Sequence, residues 1–374
     1  MGYDKYNKKE ANMLNKYLAL FFILGLLFFP PRIFAGEAEI QMTQWIRYTH
    51  AYQKDTTKTT LTKSEFSLER GYLRLNYKYN DNWRIYFTSD IYTSSKFPEV
   101  AGLKIKDAYL RIANFLLPDL DLNIGLQKTY FSRIHDWEYL TVEKAYTDKN
   151  KIVASADYGI SLTGILPKAF GQYRFGLYNG EGYNKLPVNT TPTLLGDLRI
   201  VPFSGLVIGG SVLYEKENRI RFKYSPKPPA DTLSKNSFGL APFARLTFGD
   251  LRLEGEYILY RFDRVHHDTT GGTLVEKKRR YELGGFYLMP ILIIRPIKAE
   301  LLGRFDLFQQ KEDGKKNEKI SSWLAVAGVN YYPFGKDVVF QFNWQRERYL
   351  DKNLPGTDIF YFQVKGTWKK LFSE

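Results

Sequence analysis

Two adjacent stretches of this chain alternate apolar and polar residues with a period of two. Residues 73–79 read LRLNYKY, and the alternation resumes at Trp83 after the turn-forming Asn-Asp-Asn at 80–82. This pattern predicts two β-strands joined by a tight turn, each with one apolar and one polar face. In a soluble sandwich the apolar face lies in the core, whereas in a membrane barrel it contacts lipid and the polar face lines an aqueous lumen.

The same alternation recurs along the chain and predicts sixteen strands. They lie near residues 41–50, 64–79, 83–93, 103–114, 119–129, 157–166, 172–179, 193–201, 205–215, 237–248, 251–264, 278–289, 297–309, 320–332, 338–349 and 357–371. Pro242 falls inside one of these segments and requires a bulge or a locally unpaired backbone donor there. The apolar stretch 290–296 fits poorly as a turn, and it either extends a strand or packs at a subunit contact.

The connections between these segments alternate in length. Short ones lie at 80–82, 115–118 and 249–250, and the long ones include 51–63 and 130–156. Outer-membrane barrels have an even strand number, short periplasmic turns and long outer loops, whereas a soluble sandwich has no reason to sort its loops in this way. We therefore predict an all-β fold, a 16-stranded antiparallel transmembrane β-barrel with both termini in the periplasm.

The N-terminus has the features of an export signal. Lys16 supplies positive charge, and residues 18–29 form an apolar run that is short for an uncleaved transmembrane anchor. The predicted boundaries are a signal peptide at 1–35, with cleavage after Ala35 or Ala38 and Met13 as an alternative start, and a transmembrane β-barrel at 36–374. We expect export by a Sec-type signal to the outer membrane of a Gram-negative-type bacterium.

The composition narrows the functional classes. A mean hydropathy of −0.37 excludes a helical membrane protein, which needs several apolar runs of about 20 residues. The absence of cysteine excludes thiol catalysis and cysteine metal sites. The formal net charge of +14 suits an anionic solute or membrane surface, and no basic cluster or motif indicates a nucleic-acid partner.

Strand parity assigns charged side chains of both signs to the inner face. The predicted inward arginines of the strands are Arg74, Arg84, Arg111, Arg174, Arg199, Arg245, Arg252 and Arg304. The predicted inward acids are Asp90, Asp107, Asp121, Asp197, Glu254, Glu256, Glu300 and Asp306. A dry core could not hold these charges unpaired, so we expect a wet interior. The arginines either pair with carboxylates and stiffen the wall, or form a positive path that attracts anions.

The connection at 130–156 is the longest, and a loop of this length usually has a function. If it folds into the lumen, its basic residues set a constriction, and if it lies outside, they form a solvated surface. These basic residues are Arg133, Lys144, Lys149 and Lys151.

Catalysis has little support in the sequence. The histidines of His135-Asp136 and His266-His267-Asp268 lie in loops without a partnered nucleophile or a recognisable ligand spacing. We therefore predict no enzyme activity, no catalytic residues, no metal site and no cofactor. The alternatives are an outer-membrane barrel enzyme with histidines at the rim, and a secreted soluble β-rich protein that binds glycans.

The chain resembles the phosphate-selective porin O and P family of outer-membrane porins. The matching phrases are RGYLRLNYKYNDNWRIYFTSDIY (70–92), LKIKDAYLRI (103–112), LNIGLQKTYFS (122–132), LYNGEGYN (177–184), GRFDLF (303–308), VAGVNYYP (326–333) and IFYFQVKGTW (359–368). The resemblance implies a homotrimer of sixteen-stranded barrels in outer-membrane lipid, with an inward third loop. It implies passive diffusion of small, often anionic, solutes, including phosphate. Members of the family usually end on an aromatic residue that the barrel assembly machinery recognises, and this chain departs from that pattern because Phe372 is followed by Ser373 and Glu374.

Overall fold

The structure is a computed structural model that describes residues 36–55, 58–94, 97–137, 140–183, 191–216, 236–270 and 273–372. The predicted signal peptide at 1–35 lies outside the described residues. Among the described residues, no helix is long and apolar enough to cross a membrane.

Almost all of the described chain is β-strand. The strands are β1 (Glu37–Lys54), β2 (Thr59–Lys78), β3 (Trp83–Ser94), β4 (Phe97–Ile112), β5 (Leu120–Lys128), β6 (Ala156–Ile165), β7 (Gly171–Tyr178), β8 (Thr193–Phe203), β9 (Leu206–Glu215), β10 (Ser237–Phe248), β11 (Leu251–Thr270), β12 (Thr273–Ile294), β13 (Ala299–Glu312), β14 (Lys315–Lys316), β15 (Ser322–Tyr331), β16 (Val338–Tyr349) and β17 (Gly356–Phe372). The α-helix α1 (Tyr146–Lys149) and the 3-10 turn Ser132–His135 lie between β5 and β6. The remaining 3-10 turns are Pro167–Ala169, Arg295–Ile297 and Gly335–Asp337.

The sheet closes on itself and has no free edge. Each wall strand pairs antiparallel with the next, and β1 pairs with both β2 and β17. The two-residue strand β14 pairs only with the end of β13, so the wall itself has sixteen strands. Closure satisfies the backbone donors and acceptors that an open edge would expose, which is the condition for a sheet that crosses lipid. The predicted all-β, sixteen-stranded antiparallel barrel is confirmed.

The two irregular segments also have an explanation. Strand β12 continues through Ile294, so the apolar stretch near 290–296 extends a strand and the turn is the short Arg295–Ile297. At Pro242 the pairing of β10 with β11 is interrupted, while the pairing with β9 continues through Gly210. Proline lacks a backbone donor, and the interrupted ladder is the locally unpaired site that the sequence requires.

Apolar side chains cover the outer face of the wall. Strand parity assigns one apolar set of side chains to the outer face. Those that are 39–50% exposed are Ile85, Phe175, Leu198, Leu246, Leu253 and Leu301. A soluble protein does not expose a continuous apolar belt of this kind, and a barrel in lipid requires one. The arrangement therefore contradicts the soluble sandwich.

The expectation of a wet interior is wrong for one half of the barrel. Inward-facing apolar residues of β7–β15 pack together with residues of the loop between β5 and β6. The buried members from the wall are Tyr178, Leu195, Leu213, Ala241, Ile258, Tyr260, Phe262, Tyr281, Tyr287, Met289, Ile291, Leu302, Phe308, Leu324 and Val326. Strands such as β12 are apolar on both faces because lipid covers one face and the loop covers the other.

Candidate functional site: a lumen narrowed by an inward loop

The loop between β5 and β6, here called the inner loop (residues 129–155), folds into the lumen. Its residues Phe131, Tyr146 and Ile152 join the apolar cluster on the inner wall. Its polar groups are hydrogen-bonded to side chains of β1, β9, β11, β13, β15 and β16. These bonds include Arg47 Nη2 to Val142 O (3.3 Å), Ser132 N to Ser211 Oγ (2.9 Å), Ser132 Oγ to Glu256 (2.7 Å), Arg304 Nη1 to Lys144 O (2.8 Å), Asn330 Nδ2 to Leu140 O (2.9 Å) and Val142 N to Asn343 Oδ1 (2.9 Å). The inward third loop of the predicted fold is confirmed.

Tyr146 is an almost fully buried anchor of the inner loop. Its ring is 1% exposed, and its hydroxyl lies 3.0 Å from Gly284 O and 2.8 Å from Leu307 O. Gly285 has φ +144°, and a Cβ at this position would collide with the Leu307 carbonyl and the Tyr146 hydroxyl. Gly284 and Gly285 of β12 therefore leave a slot in the wall for Tyr146, and a side chain at Gly285 would fill that slot.

A charged network holds the first turn of the inner loop. Arg133 donates to Glu254 of β11 (3.1 Å) and to Asp136, and Arg199 of β8 donates to the same Asp136 oxygen at 2.5 Å. Asp197 accepts from Arg174 at 2.6 Å and lies 3.3 Å from Arg199. Three predicted site arginines are thus brought together, and each is paired with at least one carboxylate.

Burial and the neighbouring guanidinium groups shift the pKa values of His135 and Asp136 in this turn. Burial, joined by the positive charges of Arg199 and Arg174, lowers the pKa of His135 well below its usual value, so the ring is neutral near pH 7. Burial alone would raise the pKa of Asp136, but the charges of Arg133 and Arg199 outweigh it and lower the pKa. His135 is therefore a buried packing residue beside Arg199, at 3.3 Å, and not a rim histidine available for catalysis.

The lowered pKa of Asp136 predicts how the inner loop responds to acid. An ionised Asp136 stabilises the folded loop above about pH 4, and this contribution is lost as the pH falls through the lowered pKa. We expect the amide hydrogen-exchange protection of residues 130–137 to decrease as the pH falls below about 4. In Asp136→Asn the protection should be low throughout. A wild-type protection that stays unchanged below about pH 4 would contradict this account.

Arg304 supports the middle of the inner loop. Its guanidinium is buried, forms a bidentate pair with Asp306 at 2.7 Å and lies 5.0 Å from the ring centre of Trp137. It also donates to Lys144 O and to Thr141 Oγ1. A buried, fully bonded guanidinium of this kind positions backbone, and it presents no charge to a solute.

The opposite inner wall, formed by β2, β3 and β4, has a different electrostatic character. Arg74 lies 5.0 Å from the ring centre of Tyr72, and Lys106 donates to the Tyr72 hydroxyl at 2.7 Å. Neither cation forms an ion pair in the part of the chain that the structure describes. Lys128, at the end of β5, lies within electrostatic range of both. We call Arg74, Lys106 and Lys128 the basic wall.

Strand parity alone misses Lys106. The pairing of β3 with β4 shifts register between Thr88, opposite Asp107, and Ser89, opposite Ile105, which leaves Lys106 as the extra residue of a bulge. The bulge turns both Lys106 and Asp107 inward, whereas parity counted back from Leu110 points Lys106 to lipid. The signal in the sequence is the change of phase in LKIKDAYL, where two charged residues stand side by side.

The remaining predicted site residues are dispersed. Arg84 stands across from Lys78 and Arg111 in a row of three cations, and Arg111 is paired with Asp121. Arg252 is paired with Glu300 at 3.2 Å, and Lys149 is paired with Glu347 at 2.5 Å. Arg245 and Lys144 are half-buried. Lys151 is exposed beside a cavity of about 480 Å³. The side chains of His266 and His267 lie outside the described residues.

A scan against protein-family models and a search of curated proteins find no match. Solved structures do match. The anion-selective porin from Comamonas acidovorans has a TM-score of 0.58 at 11% identity, covering 88% of this chain and 100% of that chain. The outer membrane channel DcaP of Acinetobacter baumannii has a TM-score of 0.58 at 12% identity, covering 88% and 97%. OmpT, an outer membrane protein of Vibrio cholerae in its trimer form, has a TM-score of 0.56 at 12% identity, covering 88% and 99%. At these identities the likeness is one of fold.

Proposed function

We propose that this protein is an outer-membrane porin that passes small hydrophilic solutes by passive diffusion, with a mild preference for anions that includes phosphate. The observation that carries the proposal is the asymmetry of the lumen. The inner loop is attached to one side, and in the described part of the chain none of its hydrogen bonds goes to β2, β3 or β4. The path for solutes runs between the inner loop and the basic wall.

The basic wall accounts for the anion preference. Arg133, Arg199 and Arg304 are neutralised by carboxylates, so they contribute little net field. Arg74 and Lys106 form no ion pair in the described residues, so their charges are less compensated than those of the paired arginines, although Asp107 also turns inward beside Lys106. A hydrated path removes the desolvation barrier for ions, and the charge of its wall determines which sign enters more readily.

Further proposals concern the oligomeric state, the export and the membrane insertion of this protein. The structural neighbours include a porin described as anion-selective and a protein described as a trimer, so we propose a homotrimer in outer-membrane lipid. We also propose export by the signal peptide at 1–35 and insertion by the barrel assembly machinery through the aromatic end near Phe372. The sequence resemblance to the phosphate-selective porin O and P family supports the same assignment.

Planar-bilayer recording of the purified protein tests the proposal. In a KCl gradient we expect a reversal potential on the anion-selective side, with phosphate competing for chloride current. Because the Debye length falls from about 10 Å at 0.1 M salt to about 3 Å at 1 M, the preference should weaken as salt rises. A cation-selective reversal potential would contradict the anion preference, and the absence of any channel would contradict the porin.

A further inference from the structure

A cavity of about 480 Å³ lies between the inner loop and the strands β6–β9, β11 and β12. Asp157 at the start of β6, Thr193 at the start of β8 and Glu215 at the end of β9 line it. These strand ends lie away from the short turns that join β6 to β7 and β8 to β9, so the cavity is at the mouth that would face the outside of the cell. Its volume is within the range of small-molecule sites, about 300–1,000 Å³.

The lining of this cavity is rich in acceptors that carry negative charge. Its carboxyl side chains are those of Asp148, Asp157, Glu181 and Glu215. In the described chain the lining contains one basic side chain, the exposed Lys151. The carboxylate of Asp157 accepts from two backbone N–H groups, at 2.6 and 2.8 Å, and neither Asp157 nor Asp148 forms an ion pair among the described residues. A ligand that complements this lining brings hydrogen-bond donors and positive charge.

A buried hydroxyl group points independently to a ligand in the same place. Thr193 lines the cavity and is 3% exposed, and its Oγ1 has no hydrogen-bond partner in the part of the chain that the structure describes. A buried polar group without a partner is costly, and a ligand with N–H donors would remove that cost. Tyr178, Tyr260 and Phe262 also line the cavity, and aromatic rings attract ammonium groups that approach their faces.

We infer that this cavity binds small organic cations with ammonium groups and an apolar body, held between Asp148 of the inner loop and Asp157 and Thr193 of the wall. The spacing of the carboxylates argues against a bare metal ion, because no three His, Cys, Asp or Glu side chains among the described residues are close enough together to hold one. An organic cation is longer, and it can contact carboxylates that a single ion cannot join. The inference goes beyond the proposed function, since it places a cation at the mouth of a path that prefers anions, and it takes from that function only which mouth faces outside.

Calorimetric titration of the purified full chain in detergent tests the site. The probe is putrescine, a diamine, and butanediol of the same length is its neutral match; we expect the diamine to bind and the diol not to bind. Thr193→Val replaces a hydroxyl that has no partner, so the barrel should fold as before while putrescine binds about tenfold more weakly. Asp148→Asn should weaken binding by a similar factor. Glu318→Gln removes an exposed charge outside the cavity and should leave the affinity unchanged.

Hydrogen exchange gives a second measurement, which locates the bound cation. Because the cation bridges the inner loop and the wall, putrescine should raise the amide protection of residues 147–153, and butanediol should not. Equal binding of butanediol, displacement of putrescine by Mg²⁺ at the same concentration, or an affinity that Thr193→Val and Asp148→Asn leave unchanged would overturn this site. A barrel that binds putrescine and forms no channel would overturn the porin and leave the site. A conducting channel that does not bind putrescine would overturn the site and leave the porin.

Discussion

Replacing Tyr146 by alanine is expected to free the inner loop from the wall and to raise the single-channel conductance in a step. Tyr146 is almost fully buried in the slot at Gly284–Gly285, and its ring centre lies 6.3 Å from that of Phe308 in a tilted arrangement. Removing a buried aromatic side chain costs about 3–5 kcal/mol. The closed wall does not depend on this ring, so the cost falls on the attachment of the loop. This free-energy loss shifts the equilibrium toward the detached loop by about 10²- to 10⁴-fold.

Tyr146→Phe is the matched control for this prediction. It keeps the ring in the slot and removes only the hydroxyl, whose single proton is shared between Gly284 O and Leu307 O and contributes about 1 kcal/mol. The conductance of Tyr146→Phe should therefore stay close to that of the wild type. Equal conductance of the alanine and phenylalanine variants, with both barrels folded, would show that the inner loop does not narrow the path.

The strands of this barrel could be predicted from the sequence because their signal is local. One face of each strand meets lipid, so alternation marks it, and the predicted segments at 237–248 and 338–349 coincide with β10 and β16. The strand whose length differs most from its predicted segment is β12, which begins at Thr273 and ends at Ile294 where 278–289 is predicted. There the inner face is apolar as well, and alternation disappears.

The site could be predicted only in part, because its decisive contacts join residues far apart in sequence. Parity places Arg304 on the inner face and the sequence leaves the position of Arg133 open, and the pairing of these residues with Asp306 and Glu254 depends on where the inner loop lies. Parity also fails at a bulge, so it does not place Lys106 on the inner face, and it cannot distinguish the neutralised Arg304 from Arg74. Charge in the sequence is therefore a poor measure of charge presented to a solute.

The second large effect is expected from reversing the charge of the basic wall. A monovalent ion about 4 Å from a unit charge in a water-like medium gains about 1 kcal/mol, so reversing one charge changes its energy by about 2 kcal/mol. That exceeds the 1.4 kcal/mol that corresponds to a tenfold ratio. Arg74→Glu combined with Lys106→Glu should therefore move the reversal potential in a KCl gradient from the anion-selective to the cation-selective side.

Lys336→Glu makes a matched charge reversal at an exposed position in the turn Gly335–Asp337, outside the lumen, and should leave the reversal potential unchanged. Arg304→Met is the more demanding comparison, because it removes a charge that Asp306 already neutralises. If the electrostatic difference between the two sides of the lumen is correct, Arg304→Met should disturb the loop and the conductance far more than the sign of selectivity. A selectivity that follows Arg304 rather than Arg74 and Lys106 would place the solute path on the other side of the inner loop.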